Sequence, residues 1–210
     1  MAGIKFDNLC VMLIENTAYQ NSHKTLYDAD FVRAKVPMTK ESVRNLSIAK
    51  LNIMPTDVVY DIGAGTGSVS IAMAYRASES LVYAIEKEED AVSLIHQNKQ
   101  KLGAHNLSII NAKAPEGISD LPPPNKVFIG GSSGNLEQIF TVVLNKNPAV
   151  KIVVNAITLQ TLNETVSCFE SRGIETDILC VNISTAQKVG RYDMMKSQNP
   201  VYIISGEQNE

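Results

Sequence analysis

The sequence predicts an α/β fold: a seven-stranded, mainly parallel sheet with helices on both faces and an antiparallel hairpin at one edge. Three observations carry this. From about Asp57 onward, short runs rich in Val, Ile and Tyr alternate with longer segments of helical period, the pattern of successive βα units. The first five runs are nearly continuous in apolar residues, as strands covered on both faces require. The last two have only a polar stretch, 184–199, between them, and antiparallel neighbours need no helical crossover.

Taken in order, strands are expected at 58–62, 81–86, 107–111, 126–129, 151–155, 174–183 and 201–205. Helices fall between them at 69–76, 89–102, 136–145 and 159–171. Upstream, residues 39–51 read as a helix capped by Thr39, with Val43, Leu46 and Ile48 facing inward. The first forty residues differ. Residues 4–14 contain a strand-like run, LCVMLI, and residues 16–35 are polar and irregular. The expected organisation is an N-terminal strand fragment and linker, 1–35, followed by one domain, 36–210. No internal repeat or low-complexity tract is evident.

The bulk properties narrow the function classes. At 210 residues and 44% hydrophobic, the chain suits one globular domain with a sizeable core. A net charge of -3 gives no global attraction to nucleic acid, so no nucleic-acid partner is expected. Cys10, Cys168 and Cys180 are odd in number and lack CxxC spacing, which predicts buried free thiols in a reducing cytosol. His23, His96 and His105 show no metal-ligand spacing and read as solvated, so no metal is expected. No apolar run is long enough to cross a bilayer and no secretory leader pattern opens the chain, so a cytoplasmic protein without a membrane partner is expected.

The strongest chemical signal is VVYDIGAGTGSVSIAMA, where a strand ends at Asp61 and Gly63, Gly65 and Gly67 run directly into a helix. Glycine permits backbone angles closed to other residues and lets the main chain approach a ligand. The helix start adds unpaired amide donors and a positive dipole end. Dinucleotide sites require GxGxxG, but Ser68 stands where the last glycine would fall, which argues against NAD. The form Asp61-x-Gly63-x-Gly65-x-Gly67, with Ala64 and Thr66 between the glycines, matches the loop that cradles the methionyl part of S-adenosylmethionine.

Glu86 closes the second strand about twenty residues past the glycine loop, where a carboxylate accepts both ribose hydroxyls. The competing reading makes it part of the acidic first turn of the next helix, with Glu88 and Glu89. After the third strand, residues 112–115 stand where backbone and a small side chain flank an adenine ring, and Ala114 is the residue selected. The fourth strand exits into GGSSGN, whose Gly131 and Ser132 are expected to line the same crevice. The Asn or Asp, Pro, Pro and aromatic motif of many adenine methyltransferases is absent there.

Five βα units followed by an antiparallel pair are the architecture of class I methyltransferases. Within that class the chain resembles the decarboxylating precorrin methyltransferases of cobalamin biosynthesis, the CbiT family and the C-terminal half of CobL-type fusions. The segments that carry the resemblance are VPMTKESVR, DIGAGTGSVSIA, AIEKEEDAVSLIHQN, APEGI, IGGSSGNL, NAITLQTL and QNPVYII, spanning about Asp30 to Glu207. The resemblance implies methylation of carbon 15 of a precorrin or cobalt-precorrin-6B macrocycle, coupled to loss of carbon dioxide from the ring C acetate. It also implies cofactor contacts at Thr39, residues 63–67, Glu86 and Ala114, and a homotetramer. Residues 4–15 look like the closing strand of the preceding methylase domain of the fused enzymes. That implies either the C-terminal part of a longer protein or the native N-terminal strand of a free-standing one.

A tetrapyrrole rich in carboxylates calls for cations around the cleft. Lys40, Arg44, Lys188, Arg191 and Lys196 are candidates by position, with Arg191 and Tyr192 selected as the substrate-loop pair. Competing functions are a class I methyltransferase acting on another small molecule or RNA, and a non-catalytic cofactor-binding module.

Overall fold

The computed structural model describes Val11, Leu13 and residues 25–208. The strand expected in residues 4–14 therefore lies outside the described residues apart from Val11 and Leu13. The domain opens with helix α1 (Glu41–Leu51) and continues β1 (Val59–Ile62), α2 (Ser68–Arg76), β2 (Val82–Glu86), α3 (Glu89–Leu102) and β3 (Leu107–Asn111). It proceeds through β4 (Lys126–Ile129), α4 (Leu136–Lys146), β5 (Lys151–Ala156), α5 (Leu159–Glu170), β6 (Asp177–Val181), β7 (Ser184–Val189), β8 (Tyr192–Ser197) and β9 (Val201–Gly206).

The main sheet runs β3-β2-β1-β4-β5-β9-β6. Strands β1 to β5 pair in parallel, and β9 inserts antiparallel between β5 and β6. Alternation along each strand sends side chains to opposite faces. Val59, Ala84, Phe128, Val153 and Ile203 join α1, α2 and α3 in one core cluster. Tyr60, Ile85, Val127, Ile152 and Ile204 join α4 and α5 in the other, where Phe140 and Phe169 meet edge to face at 4.8 Å.

Local chemistry sets the helix limits. In α3, Glu89 and Asp90 occupy the first turn and Lys99 and Lys101 the last, matching the helix dipole, and Gly103 at φ 66° ends it. The Thr158 hydroxyl caps α5 by accepting the Thr161 N–H at 3.1 Å. At α1 the N-cap is Lys40 rather than Thr39, with no side-chain cap bond. Val43 and Ile48 are buried as expected, but Leu46 is 38% exposed, and Arg44 and Ser47 fill the inward face instead.

Three other expectations are corrected. The sixth strand is shorter than 174–183, and the polar stretch after it forms a separate two-stranded antiparallel sheet, β7 with β8. Val189 pairs with Tyr192 across a two-residue turn, with Gly190 at φ 62° in its first central position. Both strands are exposed throughout, so they carry none of the apolar pattern that marks a core strand. Cys168 is a buried free thiol, but Cys180 is exposed on β6, and Cys10 lies outside the described residues.

The end of the expected linker, residues 25–35, packs onto the domain. Leu26 and Phe31 are buried in the core cluster shared with α1 and α2. Fully buried Asn98 of α3 accepts the Val32 N–H at 2.6 Å and donates to the Val32 and Thr66 carbonyls at 3.2 and 3.0 Å. One side chain thus ties the entering chain and the glycine loop to α3. Asn98→Ala leaves buried backbone groups unpaired, and we expect a loss of about 2 kcal/mol of unfolding free energy, read as a lower denaturant midpoint at unchanged slope.

Candidate active site

The carboxyl ends of the parallel strands open on one cleft of about 1060 Å³, at the upper end of small-molecule sites. It centres on β1 and β4, where the strand order reverses and open α/β sheets bind ligands. Ile62 to Thr66 reach it from β1, residues 85–90 from β2, 112–114 from β3 and 130–133 from β4. Asn155 and Ile157 reach it from β5, Val181 and Ile183 from β6, and Gln198, Asn199 and Val201 from the start of β9. The segment 35–40, leading into α1, forms its remaining wall.

The glycine loop is shaped first by the protein itself. Gly63 has φ 73°, and a Cβ there would stand 2.5 to 2.9 Å from main-chain atoms of Gly131. The loops after β1 and β4 therefore touch backbone to backbone, and no other residue fits at position 63. Gly131 is the opposite case. Its φ is ordinary and a Cβ there would meet nothing within 4 Å, so its bareness leaves room in the cleft rather than serving the packing.

Glu86 is 8% exposed and ends β2, outside the first turn of α3, which Glu89 and Asp90 supply. Its Oε2 accepts the Gly65 N–H at 2.8 Å, and its Oε1 accepts the N–H groups of Lys87 and Glu88 at 2.8 and 3.0 Å. One carboxylate thereby clamps the glycine loop to the turn after β2 while facing the cleft. Ala114 lies at the far wall, its carbonyl held by the Asn135 side-chain amide at 2.9 Å.

Asp61 lies behind the cleft and does not line it. It is fully buried, the Ser70 hydroxyl donates to its Oδ2, and its Oδ1 has no partner among the described residues. Burial pushes its acid up to about 7; the Ser70 bond opposes this and the Glu86 charge reinforces it. The Thr66 hydroxyl is likewise buried and unpartnered among the described residues, although Thr66 lines the cleft.

Of the residues selected from sequence, Thr39, Gly63, Ala64, Gly65, Thr66, Glu86, Ala114, Gly131 and Ser132 line the cleft. Gly67 caps α2 at φ 76°, beside the cleft wall rather than in it. Lys40 lines the cleft, but Arg44 does not: it is fully buried, donating to the Leu26 and Thr39 carbonyls at 2.7 and 3.0 Å and pairing with Asp28 at 3.2 Å. Arg44 is therefore an internal strut for the segment that walls the cleft, not a cation for substrate, because it is fully buried outside the cleft lining and its two terminal nitrogens are bonded to the Thr39 and Leu26 carbonyls. Lys188, Arg191, Tyr192 and Lys196 belong to the exposed β7 and β8 hairpin and do not line the cleft of this chain. Arg191 bonds to the Tyr192 hydroxyl at 2.7 Å and lies 5.0 Å from its ring centroid. Asn155, Lys35 and Lys113 reach the cleft without having been selected. Asn155 left a signal in the sequence, as a lone amide in the apolar run IVVNA.

The set fits an adenosyl cofactor. A carboxylate faces the cleft at the end of β2, a bare glycine leaves space at the end of β4, and a small residue lines the wall after β3. Among the described residues no cluster suited to a metal ion occurs and no helix is long and apolar enough to cross a membrane.

Comparison with known proteins identifies the family and the fold. A family model described as the precorrin methyltransferase domain matches residues 30–208. The probable cobalt-precorrin-6B C(15)-methyltransferase (decarboxylating) of Methanocaldococcus jannaschii is 39% identical over 84% of this chain and 94% of its own length. Precorrin-6y C5,15-methyltransferase of Geobacter metallireducens superposes with a TM-score of 0.83 at 38% identity, covering 88% of this chain and 97% of that one. Precorrin 8W decarboxylase of Methanobacterium thermoautotrophicum does so at 0.82 and 32% identity, covering 87% of this chain and 100% of that one.

The buried acid behind the loop has a pH signature. Its folded-state pKa of about 7 exceeds the value of about 4 of an unfolded aspartate, so the native state holds the extra proton between them. Its contribution is full below about pH 4 and is lost as pH rises towards about 7. Measured by denaturant unfolding across that window, the wild type should lose stability relative to Asp61→Asn as pH rises. A difference independent of pH would show that the acid ionises normally.

Proposed function

This chain belongs to the precorrin methyltransferase domain family, and from that premise we propose that it uses S-adenosylmethionine to methylate carbon 15 of precorrin-6B or cobalt-precorrin-6B, with loss of carbon dioxide from the ring C acetate. The observation that carries the reading is the continuous cleft at the β1 and β4 reversal, which joins the Glu86 carboxylate and glycine loop to a second half lined by Asn155, Ile157, Val181, Ile183 and Val201. Its volume of about 1060 Å³ suits a cofactor and part of a large acceptor together.

In this reading Glu86 accepts the ribose hydroxyls, Ala114 flanks the adenine, and the loop 63–67 takes the methionyl part. When bound, the cofactor supplies a sulfonium-activated methyl group, so the chain needs no nucleophile of its own. What the protein contributes is alignment and exclusion of water. Gly131 leaves the line of approach open, and the wall 35–40, braced by Arg44, covers the glycine loop: the Pro37 carbonyl stands 3.2 Å from where a Gly65 Cβ would be. Lys40 offers a cation to acceptor carboxylates. Electrons released by decarboxylation pass into the conjugated macrocycle, and a proton from solvent takes the place of the lost carboxylate on the side-chain carbon, so no protein sink is required. A homotetramer in the cytoplasm completes the proposal.

Two measurements test it. Mass spectrometry after incubation with S-adenosylmethionine and either form of precorrin-6B should show a tetrapyrrole that has gained one methyl group and lost one carbon dioxide. An unchanged tetrapyrrole in protein that binds the cofactor would remove the acceptor assignment. Separately, Glu86→Ala should weaken cofactor binding by about 1.5 to 3 kcal/mol, the scale of hydrogen bonds to a charged group. Unaltered affinity by calorimetry in a folded variant would take Glu86 out of the cofactor site.

A further inference from the structure

The half of the cleft away from the glycine loop is built from different material. Val181 and Val201 pair in register on β6 and β9, and with Ile157 and Ile183 they give that half an apolar strip beside the amides of Gln198 and Asn199. Asn155 lines the cleft from the end of β5, where it interrupts a run of buried apolar residues. A half-buried amide there costs stability unless it is hydrogen-bonded.

Its partner comes from behind the sheet. The Oγ of Ser47, fully buried on α1, lies 3.0 Å from Asn155 Oδ1 and 2.9 Å from the Val43 carbonyl. When that hydroxyl donates to Asn155, it pins the carbonyl end of the amide against α1. The Nδ2 end then remains for the cleft, and it donates to no group among the described residues. A serine that could be satisfied within its own helix is thus placed to set the direction of a cleft amide.

We propose that Asn155 contacts the methyl acceptor, its Nδ2 donating to a carboxylate oxygen on the macrocycle rim while the apolar strip meets the ring face, with Ser47 as the positioning residue. The assignment rests on the proposed reaction and deepens it by naming an acceptor contact. It places the residue's effect on the acceptor and not on the cofactor, which binds across the Gly63 and Gly131 contact.

The test is steady-state kinetics with cobalt-precorrin-6B as the varied substrate at saturating S-adenosylmethionine, beside calorimetric titration of the cofactor. Asn155→Ala should raise the acceptor KM by about tenfold, the loss of one hydrogen bond to a charged group, with cofactor affinity unchanged. Asn155→Asp keeps the shape and sets carboxylate against carboxylate, so its KM should rise further; it also carries the test if the alanine variant does not fold. Ser47→Ala should raise KM less than Asn155→Ala and leave cofactor affinity alone. A wild type that turns over the macrocycle beside an Asn155→Ala variant with normal KM and kcat overturns this assignment alone. Loss of cofactor binding in Asn155→Asp would overturn it too. A wild type that does not methylate the macrocycle removes the proposed function, and this contact with it.

Discussion

The contact of Gly63 with Gly131 is the constraint on which the rest of the site depends. Two loops leave adjacent parallel strands at the point where the sheet order reverses, and their main chains meet with no side chain between them. The floor of the cleft is therefore backbone, fixed by the register of β1 with β4. Once that floor is set, the Gly65 amide falls within reach of the Glu86 carboxylate and a bare face of Gly131 is left towards the opening. The cleft is thus a consequence of sheet topology and two missing side chains.

Buried polar side chains hold this arrangement from behind. Asp61 with Ser70 fixes the strand end to the first turn of α2, Asn98 ties the loop carbonyl of Thr66 and the chain at Val32 to α3, and Arg44 gathers residues 26, 28 and 39 under the outer wall. Each carries a desolvation cost that apolar residues would avoid, so their benefit lies in fixing loop positions. The Glu86 carboxylate belongs to both sets, since it binds three protein amides while facing the cleft. From that dual position it holds the Gly65 amide of the glycine loop to the turn after β2.

Much of this was legible in the sequence because it rests on local signals. Continuous apolar runs announce strands covered on both faces, and a strand running into GxGxG announces the loop at the sheet reversal. What was not legible depends on tertiary contact. Arg44 reads as a surface charge, since nothing in ESVRNL says that its donors meet carbonyls at 26 and 39. The β7 and β8 hairpin has no buried face, so hydrophobic periodicity passes over it. Thr39 looks like a helix cap by residue type, yet the helix begins two residues later and Thr39 faces the cleft. Asn155 is visible only as an oddity in an apolar strand until Ser47, distant in sequence, is brought beside it.

The central claim is that one cleft, floored by Gly63 and Gly131, takes the cofactor on its Glu86 side and leaves the Asn155 side for the acceptor. A crystal structure with S-adenosylhomocysteine tests this most directly. The account predicts ribose hydroxyls on the Glu86 carboxylate, adenine against Ala114 and the sulfur beside Gly131. Density for the adenosyl group on the Asn155 side, or anywhere outside the cleft, would contradict it.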